Sequence, residues 1–275
     1  MTEILVLGAT GKTGRAVVPR LRALGHTVRS ASRTGTTRFD WDDRTTWDPA
    51  LAGVDAVYLV PTETLGLAER AAFVARAEAA GVRRIVQLSV RGIDTDGGVP
   101  ETEAAVRSSG MAWTVLRPCW FSQDFEAPDF FLAGVAEGVL TTPAGDGREP
   151  FIDVADIADT AVAALTGEGH HGRVYELSGP RALTFAEALA LIGDAIGRPV
   201  VHRHRDPRAY AADLVADGYT APDAEAIAGF LDGIARGADD FLSTGVRECL
   251  GREPRSFEEY VKEAAATGVW GRADG

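Results

Sequence analysis

Leu5-Val6-Leu7-Gly8-Ala9-Thr10-Gly11-Lys12-Thr13-Gly14 joins an apolar run of strand length to a helix-forming stretch through three glycines, each three residues from the next. Gly8 suits a tight turn out of the strand, Gly11 leaves room for a pyrophosphate to approach the backbone, and Gly14 lets helix and strand pack closely. The helix that follows would present free N–H groups and the positive end of its dipole to an anion. The pattern follows a strand and opens a β-α-β rhythm, the context in which it signals dinucleotide binding. Gly11-Lys12-Thr13 also ends a near-match to the phosphate loop of nucleotide triphosphatases. That loop needs a glycine where Val6 stands, and the later strand ends Tyr58-Leu59-Val60-Pro61 with no Asp to hold magnesium, so the match fails twice.

Outward from the turn, short apolar runs alternate with Ala- and Arg-rich stretches of helix length as far as residue 118. Strands are predicted at Glu3 to Leu7, Thr27 to Ala31, Ala56 to Val60, Arg84 to Leu88 and Trp113 to Leu116, with a weaker one at Thr37 to Phe39. This alternation predicts an α/β fold with a doubly wound parallel sheet of the Rossmann type. The expected organisation is a dinucleotide-binding core over 1–118 and a smaller substrate lobe over 119–275, intertwined with the core rather than independent. The chain has 275 residues, 45% of them apolar and 25% charged, the balance of a soluble globular protein. Its 28 basic and 40 acidic side chains leave a net charge of −12, which repels phosphate backbones and anionic lipid. Nucleic acid and membrane partners are therefore not expected. The apolar opening Ile4 to Leu7 is too short for a signal peptide or a membrane span. Cys119 and Cys249 stand far apart without metal-ligand spacing, so no metal is expected and a reducing cytoplasm fits best.

Cofactor choice is set at the end of the second strand, where a carboxylate would accept from the adenosine 2′-hydroxyl and repel a 2′-phosphate. The residues there are Ser30-Ala31-Ser32-Arg33-Thr34, with no acid and with an arginine fork suited to phosphate. NADP(H) is favoured over NAD(H). Farther on, Trp120, Phe121, Phe125, Phe130 and Phe131 cluster within a dozen residues, which suggests a pocket wall or a small-lobe core; Trp120, Phe121 and Phe125 are the candidates for the wall. Thr184-Phe-Ala-Glu187 and Ser256-Phe-Glu-Glu259 have capping-box form, and Asp153 with Asp156 suits a further helix entrance.

These residues resemble the NmrA-like branch of the atypical short-chain dehydrogenase/reductases over nearly the whole chain. The Gly8 to Gly14 turn, with Thr10, Lys12 and Thr13, is similar to that family's nucleotide turn, and Arg33 falls where its NADP-binding members carry arginine. Phe39-Asp40-Trp41-Asp42 resembles the segment placed beside the adenine. Val57-Tyr58-Leu59-Val60-Pro61 resembles the strand end beneath the ribose and pyrophosphate. Ser109-Gly110 through Arg117-Pro118 is similar to the sixth-strand signature, while Asp124 departs from it, since Asn is common there. Phe39 to Asp43, Tyr58 to Pro61 and Pro254-Arg-Ser-Phe257-Glu-Glu look like the subgroup that includes the ergot-alkaloid iminium reductases. The resemblance implies an NADP-binding fold; its members include NADPH-dependent quinone reductases and proteins that bind the cofactor as redox sensors.

Most short-chain dehydrogenases reduce carbonyls with a tyrosine and a lysine four residues on. The chain's five tyrosines are followed at that distance by Thr62, Gly179, Leu214, Asp223 and Ala264, and its two lysines are Lys12 and Lys262. Hydride transfer without that pair needs an acceptor that already carries its electron deficiency: an iminium ion, a quinone or a conjugated enone. Ser89, at the carboxyl end of the fifth strand, is placed to meet the nicotinamide or the substrate and is the tentative catalytic candidate. His202 and His204 alternate on a strand but lack a third ligand, and His170-His171 lies in a Gly-flanked turn; all four read as structural or solvated. Two functions stay open. One is an NADPH-dependent reductase of a small, apolar, planar electrophile, acting as a monomer or homodimer. The other is a non-catalytic NADP-sensing protein that docks on a regulatory partner.

Overall fold

The computed structural model describes residues 2–61, 65–92 and 98–271, which form two compact units. The first comprises Met1–Pro118, Val154–Leu177 and Thr244–Glu253; the second comprises Cys119–Asp153, Ser178–Ser243 and Pro254–Gly275.

In chain order the first unit opens with β1 (Glu3–Leu7), α1 (Gly14–Ala23), β2 (Thr27–Ser32), β3 (Thr37–Arg38) and a short α2 (Trp47–Leu51). It continues with β4 (Ala56–Leu59), α3 (Leu67–Ala79), β5 (Arg84–Leu88), α4 (Glu101–Arg107) and β6 (Ala112–Pro118). The second unit then supplies α5 (Leu132–Glu137), β7 (Val139–Thr142) and β8 (Arg148–Glu149). The chain returns to the first unit for α6 (Val154–Thr166) and β9 (Arg173–Leu177). The rest of the second unit is β10 (Leu183–Thr184), α7 (Phe185–Ile196), β11 (Val201–His204), α8 (Pro207–Ala216), α9 (Ala221–Ala235) and α11 (Phe257–Thr267), while α10 (Gly245–Leu250) belongs to the first.

The seven-stranded sheet runs β3-β2-β1-β4-β5-β6-β9 with every neighbour parallel. This is the doubly wound α/β fold that the alternating pattern predicts, and the six predicted strands coincide with β1 to β6 within a few residues. Because helices cover both faces of a parallel sheet, its central strands read as unbroken apolar runs. Ile4, Leu5, Val6 and Leu7 of β1 and all four residues of β4 are buried. Leu5, Leu7, Val57, Leu59 and Ile85 pack with Phe73, Trp47 and Phe39 into one core.

The second unit has its own core, built around Phe125, Phe131, Phe151, Phe185 and Phe257. Those rings meet edge-on or tilted at 5.2–5.8 Å between centroids, the arrangement the ring quadrupole favours. Both predicted capping boxes are present: Thr184 with Glu187 starts α7 and Ser256 with Glu259 starts α11. The Asp153 and Asp156 entrance is where the sequence puts it, Asp153 directly before α6 and Asp156 in its first turn, and both carboxylates also reach long-range partners. Asp156 is fully buried and pairs with Arg252 at 2.6 Å, and Asp153 accepts from Gln123 at 2.9 Å and pairs with Arg255 at 3.1 Å. Burial demands such partners, and these lie far off in sequence, where local capping logic does not look.

Candidate nucleotide-binding site

Strand order reverses between β1 and β4, and the glycine turn leaves the sheet at that point. In open α/β sheets the crevice beyond the carboxyl ends at such a reversal is where ligands bind. Gly8 takes the left-handed conformation, with φ +61°, and its carbonyl accepts from the Gly11 N–H at 2.9 Å. Gly14 meets a harder constraint. A Cβ built there would lie 2.2 Å from the Gly8 oxygen and 2.7 Å from the Ala9 Cα, so only glycine lets α1 sit this close to the turn. At Gly11 a Cβ would meet only the Gly8 oxygen, at 3.2 Å; its other directions are open.

Thr13 is buried behind the turn, Thr10 is exposed and Lys12 is half-buried at its mouth. Val60 lies beside the turn, its Cβ 3.5 Å from a Cβ built on Gly8, and Pro61 follows it, half-buried. Among the described residues no side chain caps α1 and its first turn carries no acid. The orphan N–H groups and the dipole of that end therefore suit a diphosphate. Tyr58 is fully buried on β4; its hydroxyl faces Thr13 without hydrogen-bond geometry and has no other partner, and burial pushes its phenol well above the ordinary value.

At the carboxyl end of β2, Arg33 is exposed and no carboxylate among the described residues pairs with it, whereas nearby Arg38 is paired with Asp43 at 3.2 Å. Asp40 shapes the next loop. Its N–H donates to the Thr46 hydroxyl at 3.0 Å, its carbonyl accepts from the Trp47 indole at 2.9 Å, and its carboxylate accepts from the Asp42 N–H at 3.2 Å. Trp41 lies edge-on to Phe39, Trp47 and Phe73, which fixes the apolar side of this loop.

Ser89 stands where the sequence puts it, directly after β5, but its hydroxyl is not free to donate to a ligand. It donates to Glu103 at 2.8 Å, and the Ser89 N–H donates to the Leu116 carbonyl at 2.7 Å. Glu103, on α4, is fully buried and takes Arg117 in a two-pronged pair at 2.7 and 2.8 Å. Glu103 is a residue that sequence reasoning missed. A carboxylate in the first turn of a helix looks like ordinary dipole stabilisation, and the only local sign was that Arg117 sits in a buried strand and needs a counter-charge.

The aromatic candidates fall in the second unit. Trp120 is half-buried, 5.8 Å from Phe131 and 6.0 Å from Phe130, and Phe121 is half-buried where its segment bridges to Ile152. Phe125 is corrected: it is fully buried among Phe131, Phe151, Phe185 and Phe257, and its carbonyl accepts from the Trp270 indole, so it is core and not wall. His202 shares a hydrogen bond with Thr142 at 2.9 Å, and His170 shares one with the Tyr175 hydroxyl at 2.9 Å; burial lowers both imidazoles, and both rings are structural.

The model of the NAD(P)H-binding family matches residues 8–168, from the glycine turn through α6. The (4-alkanoyl-5-oxo-2,5-dihydrofuran-3-yl)methyl phosphate reductase of Streptomyces griseus is 38% identical, over 95% of this chain and 98% of its own. Agroclavine dehydrogenase of Claviceps fusiformis is 32% identical, over 94% and 96%. This chain belongs to the NAD(P)H-binding family. The NADPH-dependent quinone oxidoreductase of Escherichia coli, solved with NADPH, superposes on this NAD(P)H-binding oxidoreductase with a TM-score of 0.76, at 26% identity over 95% and 99% of the two chains. The residues of the turn fit such a dinucleotide: the helix end is uncapped, the approach at Gly11 is open and the β2 end carries no acid. Among the described residues no helix is long and apolar enough to cross a membrane.

Proposed function

We propose that the protein is an NADPH-dependent reductase of planar electrophiles, conjugated enones first, with quinones and iminium ions in the same class. Gly8, Thr10, Gly11, Lys12, Thr13 and Gly14 hold the diphosphate, Val60 and Pro61 flank the ribose, Asp40 borders the adenine and Arg33 takes the 2′-phosphate. Ser89 lies at the nicotinamide end. NADPH supplies, when bound, a hydride from its nicotinamide.

The observation that carries this reading is that, among the described residues, neither a Tyr-Lys pair nor the Ser89 hydroxyl is placed to give a proton. No tyrosine has a lysine four residues on, Tyr58, Tyr175 and Tyr260 are buried, and the Ser89 proton is committed to Glu103. An acceptor must then be activated by its own electron deficiency. In an enone, hydride adds to the β-carbon, the π pair moves onto the carbonyl oxygen and water protonates the enolate. In an iminium ion the electron pair simply returns to nitrogen. The relatives support the class: the 5-oxo-2,5-dihydrofuran substrate of the 38% identical reductase holds a ring double bond conjugated to two carbonyls, and the structural neighbour is named for quinones. The protein's part is to position the reactants and keep water from the transfer.

The test is NADPH consumption with a 4-acyl-5-oxo-2,5-dihydrofuran, a naphthoquinone, a cyclic iminium ion and an unconjugated ketone. Turnover with the conjugated or charged acceptors and none with the ketone is expected. Ketone reduction at comparable efficiency would overturn the reading.

A further inference from the structure

The contact between Ser89 and Glu103 does more than occupy a hydroxyl. Both oxygens of Glu103 are engaged by Arg117, and Arg107 stands 3.5 Å from one of them. A carboxylate held this way only accepts, so the direction of the 2.8 Å bond is fixed: Ser89 is the donor. Glu103 is fully buried, and the α4 segment that carries it is anchored to the sheet, since Gln87 of β5 donates to the Thr102 carbonyl at 3.0 Å. Arg70 of α3 donates to the same carbonyl at 2.6 Å. The hydroxyl therefore cannot rotate its proton toward a ligand without abandoning a buried acceptor, and what remains on the open side of Ser89 is a lone pair.

We propose that Glu103 is a positioning residue that sets the polarity of Ser89, making Ser89 a hydrogen-bond acceptor for the carboxamide N–H of the nicotinamide ring. The proposal rests on the reading above that the nicotinamide end lies at the carboxyl end of β5. Its consequence is a specificity: a pyridine nucleotide with a 3-carboxamide is preferred over one whose substituent has no N–H to give. Glu103 touches neither cofactor nor substrate and acts only through Ser89.

The probe is a pair of ligands, NADP⁺ and its 3-acetylpyridine analogue, which replaces the carboxamide by an acetyl group that accepts but cannot donate. Dissociation constants for both, from quenching of protein fluorescence, give a ratio for each variant. Loss of one neutral hydrogen bond corresponds to about a two- to tenfold change in that ratio. Ser89→Ala should shrink the preference for NADP⁺ by that factor. Glu103→Asp should shrink it as well, because the shorter carboxylate keeps its charge for Arg117 but withdraws from Ser89, which frees the serine proton to face the site as a donor. Where the aspartate variant does not fold, the double change Glu103→Met with Arg117→Met removes the buried acceptor together with its counter-charge, and the same loss of preference is expected. A purely structural Glu103 would weaken both ligands alike and leave the ratio unmoved.

A ratio that changes in Ser89→Ala but not in folded Glu103→Asp or in the folded Glu103→Met, Arg117→Met double variant overturns the role of Glu103. A ratio unchanged in Ser89→Ala overturns the proposal at its first step, because the carboxamide is then not at Ser89, while tight binding of both ligands would still uphold the glycine turn as the cofactor site. Failure of the unsubstituted protein to bind either ligand would overturn the functional reading itself and the proposal with it.

Discussion

Gly11 and Gly14 lie three residues apart in one turn, and the structure predicts opposite consequences for the same methyl group. At Gly14 an alanine Cβ would stand 2.2 Å from the Gly8 oxygen and 2.8 Å from its carbonyl carbon, against the 3.4 Å or more of ordinary contact, and both neighbours are backbone. Helix and turn must part by more than an ångström, an overpacking that costs about 1–3 kcal/mol. For a chain of this size that lowers the melting temperature by about 2–12 °C. At Gly11 the same methyl meets one oxygen at 3.2 Å, which yields by a few tenths of an ångström, and otherwise enters the space where the diphosphate must approach. Gly11→Ala should melt within about 2 °C of the unsubstituted protein, because overpacking here falls below about 1 kcal/mol. Its affinity for NADPH should fall at least about a hundredfold, since two charge-assisted bonds to phosphate are worth about 3 kcal/mol or more together. Thermal unfolding and fluorescence titration of the two variants decide the matter. Gly11→Ala binding NADPH within a few-fold of the unsubstituted protein, or Gly14→Ala melting unchanged, would refute the reasoning.

Arg33→Ala should weaken NADPH by about tenfold and leave NADH unaffected, since a solvent-exposed arginine gives less than the full value of a buried charge-assisted bond; equal constants for the two cofactors in the unsubstituted protein would contradict this. Tyr58→Phe should raise the melting temperature by a few degrees and leave turnover within about threefold, because an unpartnered buried hydroxyl carries a penalty of about 1–3 kcal/mol; a large loss of rate in the folded variant would mean that Tyr58 moves a proton. His202 is held below the ordinary imidazole value, first by burial and then by His204, so the unfolded chain takes up a proton before the folded one. Stability is then fully present above about pH 6.5 and is lost as pH falls through the lowered value. His202→Gln, which keeps a partner for Thr142, should flatten part of that slope in melting curves between about pH 7.5 and 5.5, with His170 accounting for more of it.

The strands of the first unit were legible because burial on both faces leaves an apolar run with nothing polar to interrupt it, as in Ile4 to Leu7 and Ala56 to Leu59. The glycine turn was legible because each glycine answers a local steric demand. Phe125 was misread for a reason of the opposite kind. Aromatic density reports that rings will be buried, not against what, and Phe125 finds its neighbours at Phe151, Phe185 and Phe257, far along the chain. Glu103 escaped in the same way, since it answers to Arg117, which only the fold brings to it, and so did the Arg252 partner of Asp156. β9 joins the sheet beside β6 after an excursion through the second unit, a pairing without a local signature.

In the function proposed above, hydride passes from NADPH to an acceptor that activates itself. The most direct test of that function is a single-turnover reaction of the protein with C4-deuterated NADPH and a 4-acyl-5-oxo-2,5-dihydrofuran, followed across neutral pH by mass spectrometry and by the absorbance of NADPH. One deuterium is expected on the β-carbon of the product, with a transfer rate that neither depends on pH nor falls when any one tyrosine is replaced by phenylalanine. NADPH that is bound tightly but never consumed, or a rate that requires a single protonated group on the protein, would contradict the proposed function.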